Sequence, residues 1–107
     1  MKKWPLTKAR CMLNLIIAED VELDLIDIGN YTESRWGIEQ REKYIAGLVD
    51  RFYWLIENPN DGKKQNEIKE GYYSYHQGRH EIFYTFDQIE LTVLAVLHER
   101  MDFKRHL

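Results

Sequence analysis

A regular spacing of apolar residues between positions 38 and 56 restricts the fold of this chain more than any other feature. The spacing has the period of an α-helix and the remaining positions are largely polar, so the segment is predicted to form one long amphipathic helix. Its apolar face comprises Ile38, Ile45, Leu48, Val49, Phe52, Leu55 and Ile56. Pro59 predicts the end, because the residue before a proline disfavours helical backbone. Such a helix needs a second layer against which its apolar face is buried.

Another helix is predicted immediately before this one. Acidic residues at positions 19, 20 and 22 suit a first helical turn, where negative charge meets free amide groups. Helical spacing relates Val21, Leu25, Ile28 and Thr32. Gly37 predicts the end, since glycine readily adopts the left-handed backbone of a C-terminal cap, and we expect Trp36 to anchor this turn. The two helices are therefore expected to form a hairpin with a very tight turn.

The rest of the chain predicts strands. Residues 12–17 are rich in strand formers, and residues 72–76 lead into a Gln77-Gly78 turn. Residues 81–86 alternate between two sets of side chains, and residues 89–98 are mostly apolar, as in a central strand covered on both faces. The order β-α-α-β-β-β predicts an α+β fold, in which a helix hairpin packs on one face of a largely antiparallel four-stranded sheet.

Composition excludes several classes of protein. The chain has 107 residues, of which 44% are hydrophobic and 31% charged, and no apolar run is long enough to cross a bilayer. We expect a cytoplasmic protein without a membrane partner. The single cysteine, Cys11, allows no internal disulfide and is interpreted as a bystander. The net charge of −3 argues against a dominant nucleic-acid-binding surface.

Short motifs along the chain resemble the ParE branch of the RelE/ParE toxins, the toxic partners in bacterial toxin–antitoxin pairs. These motifs are Tyr31-Thr32, Arg35-Trp36-Gly37, Glu57-Asn58-Pro59, Glu67 to Tyr72, Gly78-Arg79-His80, Ile82-Phe83-Tyr84, Val96-Leu97-His98 and Arg100-Met101-Asp102. The resemblance runs from about residue 12 to the end, so we expect a single toxin domain over 12–107 and an N-terminal extension over 1–11. It implies the same fold that the pattern predicts.

The resemblance also implies a function. ParE-like toxins poison DNA gyrase by stabilising the cleaved-DNA stage of its cycle, and a cognate ParD-like antitoxin neutralises them. Such a toxin shifts the populations of a large machine and carries out no bond chemistry. We therefore expect no catalytic residues, no cofactor and no metal. Nucleic acid is expected to be met only through gyrase or through an antitoxin–operator complex.

Two alternatives remain open. A RelE-like toxin cuts messenger RNA on the ribosome, which requires a proton acceptor and cations beside the reacting phosphate. Here Glu81 stands where such a toxin tends to place an arginine, and no tyrosine follows Tyr84, although His98 and Arg100 remain. The other alternative is a degenerate, non-toxic member that acts only as an antitoxin partner.

Candidate target-binding residues fall into two groups. The tail and the last strand supply His98, Arg100, Met101, Asp102, Lys104 and Arg105. The surface of the strand hairpin supplies Arg79, His80 and Phe83. Cations mixed with apolar side chains suit an interface anchor, whereas the competing interpretations are a frayed terminus and a solvated turn.

Overall fold

The computed structural model describes residues 2–4 and 13–107, with side chains described from residue 13 onward. The elements are β1 (Lys2–Trp4), β2 (Asn14–Ile17), α1 (Glu19–Trp36), α2 (Ile38–Glu57), β3 (Lys63–Lys64), β4 (Tyr73–Gln77), β5 (His80–Phe86), β6 (Glu90–His98) and α3 (Phe103–His106). One 3-10 turn, Pro59–Asp61, follows α2. The long helices α1 and α2 pack on one face of the sheet, which confirms the predicted α+β class.

The sheet has six strands in the order β1-β2-β6-β5-β4-β3. Strands β2 and β6 are parallel, and every other pairing in this sheet is antiparallel. The four predicted strands correspond to β2, β4, β5 and β6, so the strand number differs from the prediction by two short edge strands. With three and two residues, β1 and β3 are too short to show an alternating pattern.

The N-terminal predictions are only partly within the described residues. Cys11 and Met12, the predicted bystander and the predicted start of the first strand, lie outside them. Within the segment 1–11, Lys2–Trp4 pairs with β2 at the edge of the sheet.

The helix hairpin turns on a single residue. Gly37 joins α1 to α2 with φ of +92°, a value that side chains other than glycine rarely adopt. Both predicted helix ends are confirmed. Trp36 does not anchor the turn, however, because it is 63% exposed and contacts Tyr31 and Arg35 of its own helix. The tight turn is thus set by the glycine and leaves the tryptophan at the surface.

Apolar side chains cover both faces of the sheet. The larger cluster, between helices and sheet, comprises Leu15, Ile17, Val21, Ile28, Leu48, Phe52, Leu55, Ile56, Ile82, Tyr84, Leu91, Val93 and Val96. On the opposite face, Phe83 joins Ala95 and Leu97 in a smaller cluster that Phe103 covers. Phe83 is therefore fully buried, and its prediction as a surface residue is wrong. Sequence placed it on the correct face but did not show that the tail covers that face.

A bulge in β6 adjusts the two faces to each other. Phe83 pairs with Ala95 and Tyr84 pairs with Val93, so Leu94 has no partner in β5. A bulge of this kind inserts one residue and bends the strand locally. It keeps both Val93 and Val96 on the helix side, although residues three positions apart in a regular strand point to opposite faces.

An aspartate takes the place of a strand beside β6. Strand β2 ends at Ile17, which is opposite Val93, so the next part of β6 lacks that neighbour. There the Val96 backbone N–H donates to the Asp24 carboxylate of α1 over 3.3 Å. Burial raises the pKa of Asp24. The carboxylate therefore satisfies a sheet donor that no strand of the described residues meets on this side.

Tyr84 connects the sheet to the turn that follows α2. Its hydroxyl donates to the Pro59 carbonyl over 2.7 Å and accepts from the Gly62 N–H over 3.0 Å. Burial raises the pKa of Tyr84 to about 12. One hydroxyl thus satisfies two backbone groups that lie close to the core.

We expect Tyr84→Phe to lower the free energy of unfolding by about 1–3 kcal/mol, because both backbone groups lose their partner while the ring stays. Urea denaturation measures this change. Tyr31→Phe is the matched control, since Tyr31 is exposed and its loss of a hydroxyl should leave stability unchanged. Equal stability of both variants would contradict the structural role of the Tyr84 hydroxyl.

Candidate target-binding site

The pairing of β5 with β6 brings the two predicted groups of residues together. His80 pairs with His98, so the turn at Gly78-Arg79 lies beside the start of the tail. The Arg79 carbonyl accepts from the Glu99 N–H over 2.9 Å. The hairpin turn and the tail therefore form one continuous surface at one end of the sheet.

Tyr44 of α2 holds the hairpin turn in place. Its hydroxyl accepts from the Arg79 N–H over 2.9 Å and lies 2.6 Å from Nδ1 of His80. Gly78, in the turn, has φ of +61°, and a Cβ there would lie only 2.7 Å from the Tyr44 ring. The turn thus requires glycine both for its backbone and for the approach of the tyrosine. Tyr44 was not among the predicted site residues; the signal in the sequence was an aromatic residue with a polar tip beside the apolar face of α2.

His80 is a neutral link between Tyr44 and His98. Burial, with a further contribution from the nearby His98, lowers the pKa of His80 to about 4. In the neutral ring Nδ1 is able to accept a hydrogen bond from the Tyr44 hydroxyl, and the ring lies 5.4 Å from that of His98. His80 was predicted as a hairpin surface contact. The structure places it in a partly buried position, where it joins the helix to the last strand.

Charged side chains of β4, β5 and the start of the tail form a network beside the hairpin turn. His76 Nδ1 lies 2.7 Å from the Glu81 carboxylate, which raises the pKa of His76. Glu99 lies 3.8 Å from His76 and 3.7 Å from Arg79. Glu81, the residue standing where a RelE-like toxin tends to carry arginine, is thus paired with a histidine. The Arg79 side chain remains 71% exposed and accessible to a large partner.

The tail folds back onto the sheet. Phe103 packs edge-on against Phe83 with ring centroids 4.8 Å apart. The Asp102 carboxylate accepts from the Lys104 N–H over 3.2 Å and begins α3. Lys104 also lies 3.6 Å from Glu67. The tail is therefore an ordered element, and Phe103 provides its apolar contact with the sheet.

The remaining tail residues point outward. Arg100, Met101 and Arg105 are exposed, and within residues 13–107 no carboxylate pairs with either arginine. His98 is partly buried, and its Nδ1 accepts from the Arg100 N–H over 3.2 Å. Asp102 acts as a helix cap. Of the six predicted tail and last-strand residues, the structure thus leaves two unpaired cations and one methionine for a partner.

The described part of the chain shows no metal centre: no three His, Cys, Asp or Glu side chains there lie together as ligands would. Among the same residues, no helix has the length and apolar character needed to span a membrane.

The His80 linkage predicts a pH-dependent stability. Because the folded pKa of about 4 lies below the ordinary value of 6.5, the unfolded state binds the proton more readily. Stability should therefore fall as pH falls from about 6.5 to about 4. We expect wild type to lose about 1–2 kcal/mol more than His80→Gln over this range.

Urea denaturation at several pH values measures this difference. His76→Gln is the matched comparison and should shift the pH profile in the opposite direction, because the pKa of His76 is raised. A His80→Gln profile parallel to that of wild type would rule out the linkage.

Comparisons with known proteins agree with the resemblance seen in the sequence. The family described as "ParE toxin of type II toxin-antitoxin system, parDE" matches residues 15–103. Toxin ParE1 of Caulobacter vibrioides is 31% identical over 91 residues, which cover 85% of this chain and 94% of that protein. Toxin ParE1 of Mycobacterium tuberculosis is 32% identical over 93 residues, with 86% and 95% covered.

The fold has a counterpart among solved structures. A chain of the chromosomal ParDE TA system from P. aeruginosa superposes with a TM-score of 0.71 at 16% identity, covering 83% of this chain and 98% of that one. At this identity the likeness concerns the fold alone. The match of the family over residues 15–103, together with relatives above 30% identity along most of their length, shows that this chain belongs to the ParE toxin family of type II toxin–antitoxin systems.

Proposed function

We propose that this toxin arrests growth by binding DNA gyrase and stabilising its cleaved-DNA stage, and that a cognate ParD-like antitoxin neutralises it. Membership of the ParE family is the observation that carries the proposal. The toxin acts by shifting the populations of gyrase states and makes or breaks no covalent bond itself. It meets DNA only through the gyrase complex or through an antitoxin–operator complex.

The exposed end of the sheet is the surface proposed to contact gyrase. Arg79, Arg100 and Arg105 place three cations there, and Met101 adds an apolar side chain that is 44% exposed. Glu99 pairs with Arg79 at this end, so Arg100 and Arg105 are its arginines without a carboxylate partner among the described residues. Cations at one end suit an approach to a protein machine that holds negatively charged DNA. The Phe83–Phe103 contact gives the patch a fixed position on the sheet.

The double variant Arg100→Ala/Arg105→Ala tests this surface. Both side chains are exposed, so folding should be unchanged, whereas trapping of cleaved complexes should require at least about tenfold more protein. The measurement is linear DNA released from gyrase incubated with supercoiled plasmid and toxin. Lys43→Ala/Lys63→Ala, which removes the same charge from exposed positions elsewhere, should behave like wild type.

Failure of wild-type protein at micromolar concentration to affect cleavage, religation or supercoiling would contradict the gyrase proposal. In cells, DNA-damage signalling should precede any arrest of translation. Early translation arrest with cut transcripts would indicate ribonuclease activity instead, and unimpaired growth would indicate a non-toxic member.

A groove on the outer side of the helix hairpin is the proposed antitoxin site. Its volume is about 530 Å³, and its lining combines the apolar side chains of Leu25, Ile26, Ile45, Ala46 and Val49 with the charged side chains of Arg41, Glu42 and Asp50. Ile26 is 54% exposed, and Leu23, one turn earlier in α1, is 60% exposed. An apolar strip with charged edges suits the apolar face of an amphipathic helix. Because type II antitoxins are proteins, we assign this groove to a helix of the antitoxin.

Ile26→Glu should weaken neutralisation, because it places a charge in an apolar contact with the antitoxin. Ile26 is exposed in the free toxin, so the substitution should not prevent folding. Co-expression with the antitoxin encoded by the neighbouring open reading frame measures rescue of growth. We expect the variant to remain toxic and to need at least about tenfold more antitoxin. Ile89→Glu, at an exposed position outside the groove, is the control. Equal rescue of both variants would place the antitoxin elsewhere.

A further inference from the structure

An arginine on α2 is held in a fixed position against two aromatic rings. The guanidinium carbon of Arg51 lies 4.8 Å from the ring centroid of Trp54 and 4.9 Å from that of Tyr75. The two rings also contact each other, with centroids 5.4 Å apart. Arg51 Nε donates to the Gln77 side-chain oxygen over 3.1 Å. Three contacts therefore determine where the terminal nitrogens of this side chain lie.

The charge of Arg51 has no acidic partner within residues 13–107. In the same region Arg41 pairs with Glu33 and Arg79 with Glu99. Arg35, Arg100 and Arg105 also lack a carboxylate partner there, but all three are exposed. Arg51 is also partly buried, so it has lost part of its hydration. The faces of Trp54 and Tyr75 offset some of this cost through cation–π attraction. The two terminal nitrogens form no hydrogen bond with the described residues and remain able to donate.

The remaining donors select a particular kind of ligand. A guanidinium whose Nε is already bound presents its terminal N–H groups to an acceptor, and a carboxylate matches that geometry. Arginine, tryptophan and tyrosine are also the residue types that contribute most to protein–protein binding energy. A nucleic-acid backbone is gripped by several cations together, whereas Arg51 is the one cation stacked on these two rings among the described residues.

The position of the cluster shows how a partner reaches it. Strand β3 pairs only with Tyr73 and Ser74, so within the described residues the outer edge of β4 from Tyr75 to Gln77 has no strand beside it. Arg51, Trp54 and Tyr75 therefore lie where α2 meets an open sheet edge. An extended peptide is able to lie along such an edge.

We propose that Arg51, stacked on Trp54 and Tyr75, is a binding site for a carboxylate side chain carried by an acidic, extended segment of a partner protein. None of its three residues lines the groove proposed for the antitoxin, and none belongs to the surface of hairpin turn and tail proposed for gyrase. The site therefore does not depend on the gyrase or antitoxin assignments, and it supplies a third place where the toxin recognises protein.

NMR titration of the full-length purified protein tests the site. The probe is a blocked pentapeptide of sequence Ala-Glu-Val-Glu-Ala, and its twin has glutamine in place of glutamate. We expect the glutamate peptide to shift the Arg51 Nε–H and Trp54 indole N–H resonances, with at least about tenfold weaker binding of the glutamine peptide. Arg51→Lys should reduce binding by at least about tenfold, because lysine cannot form the paired contact.

Arg35→Lys is the matched control, since Arg35 also lies over two aromatic rings, those of Tyr31 and Trp36, but at the hairpin tip. It should bind the glutamate peptide like wild type. Should Arg51→Lys fail to fold, Arg51→Gln and the wild-type comparison of the two peptides still decide the question.

Three results would overturn the proposal. One is equal binding of the glutamate and glutamine peptides, which would leave the arginine without a role in recognition. Another is tighter binding of a thymidine pentanucleotide at the same resonances, which would assign the site to nucleic acid. The last is the absence of any shift of these resonances at millimolar peptide, which would make the stacked arginine a purely internal tie between α2 and β4.

Discussion

The structure depends on the burial of strand β6 on both of its faces. On one side Leu91, Val93 and Val96 pack beneath the two long helices, and on the other Ala95 and Leu97 pack beneath the tail. The strand also forms the parallel pairing with β2 and the antiparallel pairing with β5. Because it contacts every layer, its burial joins the helix hairpin, the sheet and the C-terminal segment into one unit.

The helix hairpin was predictable because its signals are long and local. The twenty residues of α2 repeat the helical period several times, and Gly37 marks the end of α1 at the turn itself. The strands of useful length were predictable for the same reason. The edge strands β1 and β3 were not, because two or three residues cannot display a period. His80 and His98 were predicted in separate groups because they are far apart in the sequence. The register of β5 against β6 places them side by side.

Contacts between distant parts of the chain account for the errors. Alternation correctly placed Phe83 opposite Ile82 and Tyr84, but its cover comes from Phe103, twenty positions later. Trp36 was predicted to anchor the turn, but the one-residue turn at Gly37 leaves its side chain at the surface. The clusters of Tyr44 with His80 and of Arg51 with Tyr75 join α2 to the β4–β5 hairpin. No spacing rule within one element indicates such pairs, so the candidate site was predicted as a region and its internal links were not.

The carboxylate that accepts from the Val96 N–H has a further consequence. A backbone donor left open at a sheet margin is a template for pairing with another polypeptide chain, including a second copy of the same protein. Asp24 occupies that opening with negative charge on a helix that already carries Glu19, Asp20, Glu22 and Asp27. Two copies approaching through this margin would repel each other. The helix that packs on the core thus also disfavours the addition of a strand from a second copy at this margin.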